Sequence, residues 1–146
     1  MGYGFKGMRI VATNGCFDII HAGHVQFLNE AKQLGDRLIV GLNSDNSVKK
    51  LKGDDRPHNN EQNRKEVLLA LESVDQVIIF DSIDCRKFLN KVRPDVYVKG
   101  GDYTMDTLPE CERETILSCC KEVKILKKYD SLSTSQIIEK LQLVNK

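Results

Sequence analysis

Neither sign of charge is in excess in this chain: 22 Lys and Arg are balanced by 21 Asp and Glu, a formal net charge of +1 over 146 residues. A protein that grips a polyphosphate track needs a surplus of cations, so general nucleic-acid affinity is excluded and any anion must be held by a local cluster. No apolar stretch approaches the ~20 residues that a membrane-spanning helix requires, so no membrane partner is expected. The opening residues, Met1 to Lys6, have none of the apolar core of a signal peptide, and a cytoplasmic protein is expected. Cys16, Cys85, Cys111, Cys119 and Cys120 are odd in number and contain no C-x-x-C, which points to reduced thiols. Neither an internal repeat nor a domain boundary is visible, and 146 residues suit one domain with a sizeable core. Residues 1–7 read as a flexible leader and 8–146 as that domain. Gly2-Tyr3-Gly4-Phe5-Lys6-Gly7 matches G-x-G-x-x-G, but it precedes the first strand, whereas a dinucleotide fingerprint must follow one.

What is present is an alternation. Short apolar runs at Arg9–Thr13, Arg37–Leu42, Val77–Phe80, Val96–Val98 and Val123–Leu126 read as strands buried on both faces of a parallel sheet. Helical patterns lie between them at Gly23–Leu34, stopped by Gly35 as a C-cap, at Glu61–Glu72, and at Ile83–Val92, which Pro94 ends. A last helix is expected over Thr134–Leu143. Strands alternating with helices imply right-handed βαβ units, hence an α/β fold with a Rossmann-like, doubly wound, five-stranded parallel sheet. The charged stretch Asn43–Asn63, with Gly53 and Pro57, is too polar for core and reads as a functional loop or lid.

In such a sheet, ligands bind beyond the carboxyl ends of the strands, near the point where strand order reverses. Four polar clusters fall there. They are Asp18, His21 and His24; Asn43-Ser44-Asp45 running on to Lys49, Lys52 and Arg56; Lys99-Gly100-Gly101-Asp102-Tyr103; and Ser133-Thr134-Ser135. Two histidines at a helix N-terminus, with Gly23 between them, suit a phosphate group. They also suit plain helix capping or a surface metal site, although HxxH lacks the i,i+4 spacing of a helical zinc pair. The lysines could equally be a solvated helix face, Ser133-x-x-Gln136 is a legitimate capping box, and Arg64 could be a surface charge.

The pattern Gly-x-Phe-Asp-x-x-His-x-Gly-His over Gly15–His24 resembles the signature of the nucleotidyltransferase superfamily that includes the cytidylyltransferases. The likeness runs from about Ile10 to Leu141. Within it, Asn43–Asn59 and Val98–Tyr103 are similar to the bacterial D-glycero-beta-D-manno-heptose 1-phosphate adenylyltransferases, in their stand-alone form. Glycerol-3-phosphate cytidylyltransferases share the HxGH element, Arg64 and the late Ser-Thr motif but typically lack the Lys-Leu-Lys-Gly-x-x-Arg-Pro-x-Asn run. They, or another sugar- or polyol-phosphate nucleotidyltransferase, remain the alternative, and a non-catalytic nucleotide-sensing module on the same fold is another. The chain departs from the heptose branch at Gln62-Asn63-Arg64, where only the arginine is kept, and at Ser133-Thr134-Ser135, which keeps a hydroxyl at each position.

The resemblance implies transfer of an adenylyl group from ATP to a heptose 1-phosphate, with pyrophosphate released, for lipopolysaccharide or other surface-glycan precursors. It implies catalytic roles for His21, His24, Lys52 and Arg64, the last on the β/γ end of the triphosphate. Gly15, Cys16, Phe17, Asp18, Gly23, Lys99, Gly100, Asp102, Ser133, Thr134 and Ser135 would hold the nucleotide. Asn43, Asp45, Lys49, Arg56 and Tyr103 would hold the sugar phosphate. It further implies Mg²⁺ arriving with the triphosphate instead of in a protein cage, and a homodimer.

Overall fold

The computed structural model describes residues 7–101 and 105–126. The expected strands are all present, within a few residues of the predicted bounds. They are β1 (Ile10–Gly15), β2 (Arg37–Asn43), β3 (Gln76–Phe80), β4 (Val96–Gly100) and β5 (Glu122–Leu126). All pair in parallel, in the order β3-β2-β1-β4-β5. From β1 the chain winds outward through β2 to β3, then crosses to β4 on the other side. Strand order therefore reverses between β1 and β4, and the carboxyl ends of those two strands form the crevice where this architecture binds ligands.

Period-two alternation explains the layers. Ile10 and Ala12 of β1 and Ile39 of β2 point to one face, where they join Phe88, Leu89 and Val92 of α4 (Arg86–Val92) and Ile116 of α5 (Glu110–Cys119). Val11, Leu38, Val40 and Leu42 point to the other face, against Leu28 and Ala31 of α1 (Ala22–Lys32) and Leu68 of α3 (Glu61–Leu69). Burial on both faces holds for the central strands. It does not hold for the edge strand β5, none of whose residues is fully buried.

Two expectations change. Asn43–Asn63 is not one long loop: it contains a further helix, α2 (Asp45–Lys52), and the start of α3. Ser44 caps α2 by accepting from the Ser47 N–H at 3.1 Å, and Asn60 caps α3 by accepting from the Asn63 N–H at 2.8 Å. Only Ser47 and Val48 of α2 are buried, so its apolar stripe is too narrow to read as a helix. Gly35 is not a C-cap, since Gln33 holds that position. It is glycine because a Cβ there would lie 2.6 Å from the Arg9 carbonyl oxygen and 2.6 Å from Val11 Cγ2. The helix α5 falls where no helix was predicted.

Candidate active site

The crevice begins where β1 ends. Phe17 sits at φ 47°, in the left-handed region that non-glycine residues enter only at a cost of roughly 1–2 kcal/mol. Asp18, the next residue in this turn, is buried. Asp18 is then bolted to the segment that follows α2. Its carboxylate accepts from the His58 N–H at 2.9 Å and the Asn59 N–H at 2.9 Å, and pairs with Arg56 Nε at 2.9 Å. Asn59 Nδ2 donates to the Asp18 carbonyl at 2.7 Å. Burial alone would raise the Asp18 pKa, but these donors outweigh it and hold the group below the usual carboxylate range. Arg56, His58 and Asn59, within the stretch that composition reads as a functional loop or lid, are thus fastened to the first motif. Asp18 and Arg56 are placed as a clamp, although Arg56 still lines the cavity described below.

His21 is the N-cap of α1, in extended backbone, and the two histidines cap the helix reciprocally. His21 Nδ1 accepts from the Gly23 N–H at 3.1 Å, and His24 Nδ1 accepts from the His21 N–H at 3.1 Å. The rings lie 4.1 Å apart, and the Phe17 ring is 5.6 Å from that of His24. With each Nδ1 an acceptor, each neutral ring must carry its proton on Nε2. Burial first, and the charge of His21 second, lower the His24 pKa to about 4. His24 therefore presents a neutral, oriented Nε2–H donor. Capping and phosphate readings of this pair do not compete, because the cap is what aims the donor.

Arg64 is neither a surface charge nor exposed toward a triphosphate. Its side chain is 0% exposed. Nε donates to the Asn59 carbonyl at 2.9 Å, one terminal nitrogen to the Cys16 and Asn43 carbonyls at 2.7 and 2.8 Å, and the other to Asp45 Oδ1 at 2.8 Å. One planar cation thus ties the motif loop, the end of β2, the start of α2 and the entry to α3. Asp45 is accordingly its counter-ion.

A cavity of about 640 Å³ opens over this frame. Of the expected residues it gathers Gly15, Cys16, Phe17 and His24 from the first motif, Asn43, Lys52 and Arg56 from the second, and Lys99 and Gly100 from the third. His21, Asp18, Gly23, Asp45, Lys49 and Arg64 are not in its wall. Gly15 must lack a side chain, since a Cβ would approach the Phe17 ring to 2.9 Å. Burial pushes the Cys16 thiol up despite nearby Lys52, Arg64 and Arg56, so it is not a thiolate nucleophile. All five cysteines are free thiols. Asp102, Tyr103, Ser133, Thr134, Ser135 and the last predicted helix lie outside the described residues. The wall also contains residues that the motifs did not supply, among them Asn14, Ile83, Asp84, Tyr97 and Glu112. Ile83 and Asp84 follow β3, whose carboxyl end carries no recognisable motif although ligands in this architecture bind beyond the strand ends. Glu112 lies on the unpredicted α5 and had not even that positional signal.

Comparison with known proteins agrees with this fold. The chain is 47% identical over 137 residues to the bifunctional protein HldE of Alcanivorax borkumensis, and 48% identical over 137 residues to that of Wolinella succinogenes. In both cases 94% of this chain is matched, and it spans 28% of the length of the curated relative. Among solved structures, a lipopolysaccharide core biosynthesis protein from Thermoplasma volcanium superposes with a TM-score of 0.71 at 32% identity, covering 85% of this chain and 100% of that one. Thermotoga maritima TmcAL, solved with alpha-thio ATP, shares the fold alone, with a TM-score of 0.65 at 13% identity over 94% of this chain and 51% of that one. A family model described as cytidylyltransferase-like matches residues 12–140, and the chain belongs to that family.

Proposed function

We propose that the chain is a nucleotidyltransferase that joins ATP and a heptose 1-phosphate into ADP-heptose, with pyrophosphate as the second product. The carrying observation is the His24 donor, neutral and fixed in one tautomer, sharing a crevice at the strand switch point with Lys52. The relatives' identity over almost the whole chain supports the same reading.

In this reaction an oxygen of the sugar phosphate attacks the α-phosphorus in line. The new P–O bond forms as the bond to the β-phosphate oxygen breaks, and pyrophosphate leaves with that electron pair. The nucleophile is already anionic, so no strong base is needed, and catalysis rests on orientation and on stabilising oxygen charge. His24 Nε2–H donates to a non-bridging oxygen of the α-phosphate. Because the ring starts neutral, it adds no charge that would grip the ground-state triphosphate more tightly than the transition state requires. Lys52 meets the leaving phosphates, and Lys99 borders the same cavity. Arg64 acts from beneath, holding the loops that carry these groups. The ammonium and imidazole N–H groups on this wall donate to oxygen, Asp84 and Glu112 are its carboxylates, and among the described residues no group of three or more His, Cys, Asp or Glu could hold a metal, which fits Mg²⁺ carried by the triphosphate itself. When bound, Mg²⁺ would supply further charge neutralisation.

The test is pyrophosphate release across four nucleoside triphosphates and several sugar and polyol phosphates. ATP with heptose 1-phosphate is expected to give the highest kcat/KM. A higher value for CTP with glycerol 3-phosphate would transfer the chain to the polyol branch, and no turnover with any pair would remove the enzymatic reading.

A further inference from the structure

One end of the cavity carries the wrong charge for phosphate. Asp84, in the connection between β3 and α4, and Glu112, in the first turn of α5, both line the crevice that must hold a triphosphate and a sugar phosphate. The two segments are tied together: the N–H of Cys85, next to Asp84, donates to Glu112 Oε1 at 3.4 Å. Asp84 is braced by Arg86, whose Nε lies 3.2 and 3.1 Å from its two oxygens. A carboxylate beside a polyanion costs Coulomb energy; the Asp84 charge is offset by its ion pair with Arg86, so the repulsion of phosphate at this end comes chiefly from Glu112. The same wall holds Asn14 and the buried Tyr97, whose hydroxyl donates to Asn14 Oδ1. That bond fixes the amide oxygen toward Tyr97, and Asn14 Nδ2–H₂ is the donor group of the same amide. Carboxylate acceptors next to an amide donor are a poor set for phosphate and a good one for hydroxyls, which both donate and accept.

Resting on the nucleotidyltransferase reading of this pocket, we propose that Glu112 and Asp84 are specificity residues that bind the ring hydroxyls of the acceptor sugar phosphate. By repelling phosphate, Glu112 also sets the acceptor's direction, with the phosphate toward His24 and Lys52 and the polyol toward α5. Two other duties for the carboxylates make contrary predictions: contact with the ribose of the nucleotide, and ligation of Mg²⁺.

The experiment uses the full chain with E112Q and D84N. Gln keeps the oxygen that accepts from Cys85, so E112Q is a mild change to the fold. KM for heptose 1-phosphate is expected to rise about tenfold or more in each variant, the size of losing a hydrogen bond to a charged group. KM for ATP, ATP binding measured calorimetrically without sugar phosphate, and the Mg²⁺ activation curve are expected to stay within about twofold of wild type. Discrimination against glycerol 3-phosphate, as a ratio of kcat/KM values, should fall, because a small acceptor never used these groups and now meets less repulsion. Weakened ATP binding with an unchanged sugar KM would overturn the proposal in favour of the ribose, and a displaced Mg²⁺ curve would do so in favour of the metal. Unchanged constants throughout would make both carboxylates bystanders. If the wild-type chain turns over no nucleotide, the functional reading fails by itself, and calorimetric binding of heptose 1-phosphate still decides this one. Loss of that binding in E112Q supports it and equal binding overturns it.

Discussion

Replacing Arg64 with Met separates two jobs that sequence alone leaves mixed. If Arg64 were a triphosphate ligand, removing it would leave the empty protein as stable as before, or more so, since Lys52 and Arg56 would lose a like-charged neighbour. The structure assigns the guanidinium four protein acceptors: the carbonyls of Asn59, Cys16 and Asn43 and the carboxylate of Asp45. Its side chain is 0% exposed and that of Asp45 35%, so truncation strands buried carbonyls and leaves a half-buried anion unpaired. Removing one member of a buried, hydrogen-bonded pair costs about 3–5 kcal/mol. The carbonyls alone, at about 1–3 kcal/mol each, would sum to more, but water entry and their second lone pairs recover part of it. Against a total stability of about 5–15 kcal/mol, the loss is large. With a urea slope of about 2 kcal/mol/M, the midpoint of the ligand-free protein should fall by about 1.5–2.5 M. Arg64→Lys should fall roughly half as far, because a compact ammonium cannot span acceptors spread around a planar fork. Urea unfolding followed by far-ultraviolet circular dichroism measures both. A midpoint within about 0.3 M of wild type, together with a raised KM for ATP, would refute the reasoning and return Arg64 to the phosphates.

His24→Ala should lower kcat by about 10²-fold with a smaller change in ATP affinity, as for one preorganised donor, and wild-type turnover would sink that role. The His24 pKa of about 4 belongs to the empty site, and a bound triphosphate must raise it, so protons are taken up on binding between about 4 and the raised value. Affinity for ATP should therefore strengthen as pH falls through that window, and an NMR titration of the free protein giving a His24 pKa near 6.5 would contradict the burial argument. Asp18→Ala should raise hydrogen exchange at the His58 and Asn59 amides and weaken sugar-phosphate turnover, and unchanged exchange would mean that the clamp is dispensable. In the wild type the Asp18 pKa is depressed, so its contribution to stability is complete above the usual 3.8 and is lost as pH falls through the lower folded value.

The elements that sequence disclosed are those whose own residues dictate their burial. Leu38, Ile39 and Val40 can hardly be anything but a central strand, because each must find cover and consecutive residues face opposite sides. The Gly15–His24 motif was legible for a similar reason: its glycine, its histidines and their spacing impose the turn, the cap and the donor within one short segment. What stayed hidden depends on partners distant in sequence. Arg64 meets Asn43 and Cys16 from 21 and 48 residues away, and no local pattern separates a buried staple from a surface charge. The polar stretch Asn43–Asn63 read as a lid because composition reports that a segment is charged, not whether its charges are already paired. Asp18, 40 and 41 residues from His58 and Asn59, is what pairs them. The same limit explains the acidic end of the cavity. Asp84 and Glu112 are ordinary hydrophilic residues at a helix start until the sheet's reversal between β1 and β4 brings their segments to the crevice that holds His24. On the proposed reading, the α-phosphate donor is written locally, in one motif at one strand end, and Lys52 joins it from α2. On the same reading, selection of the acceptor depends instead on how β3, α4 and α5 converge, which no single segment of the sequence discloses.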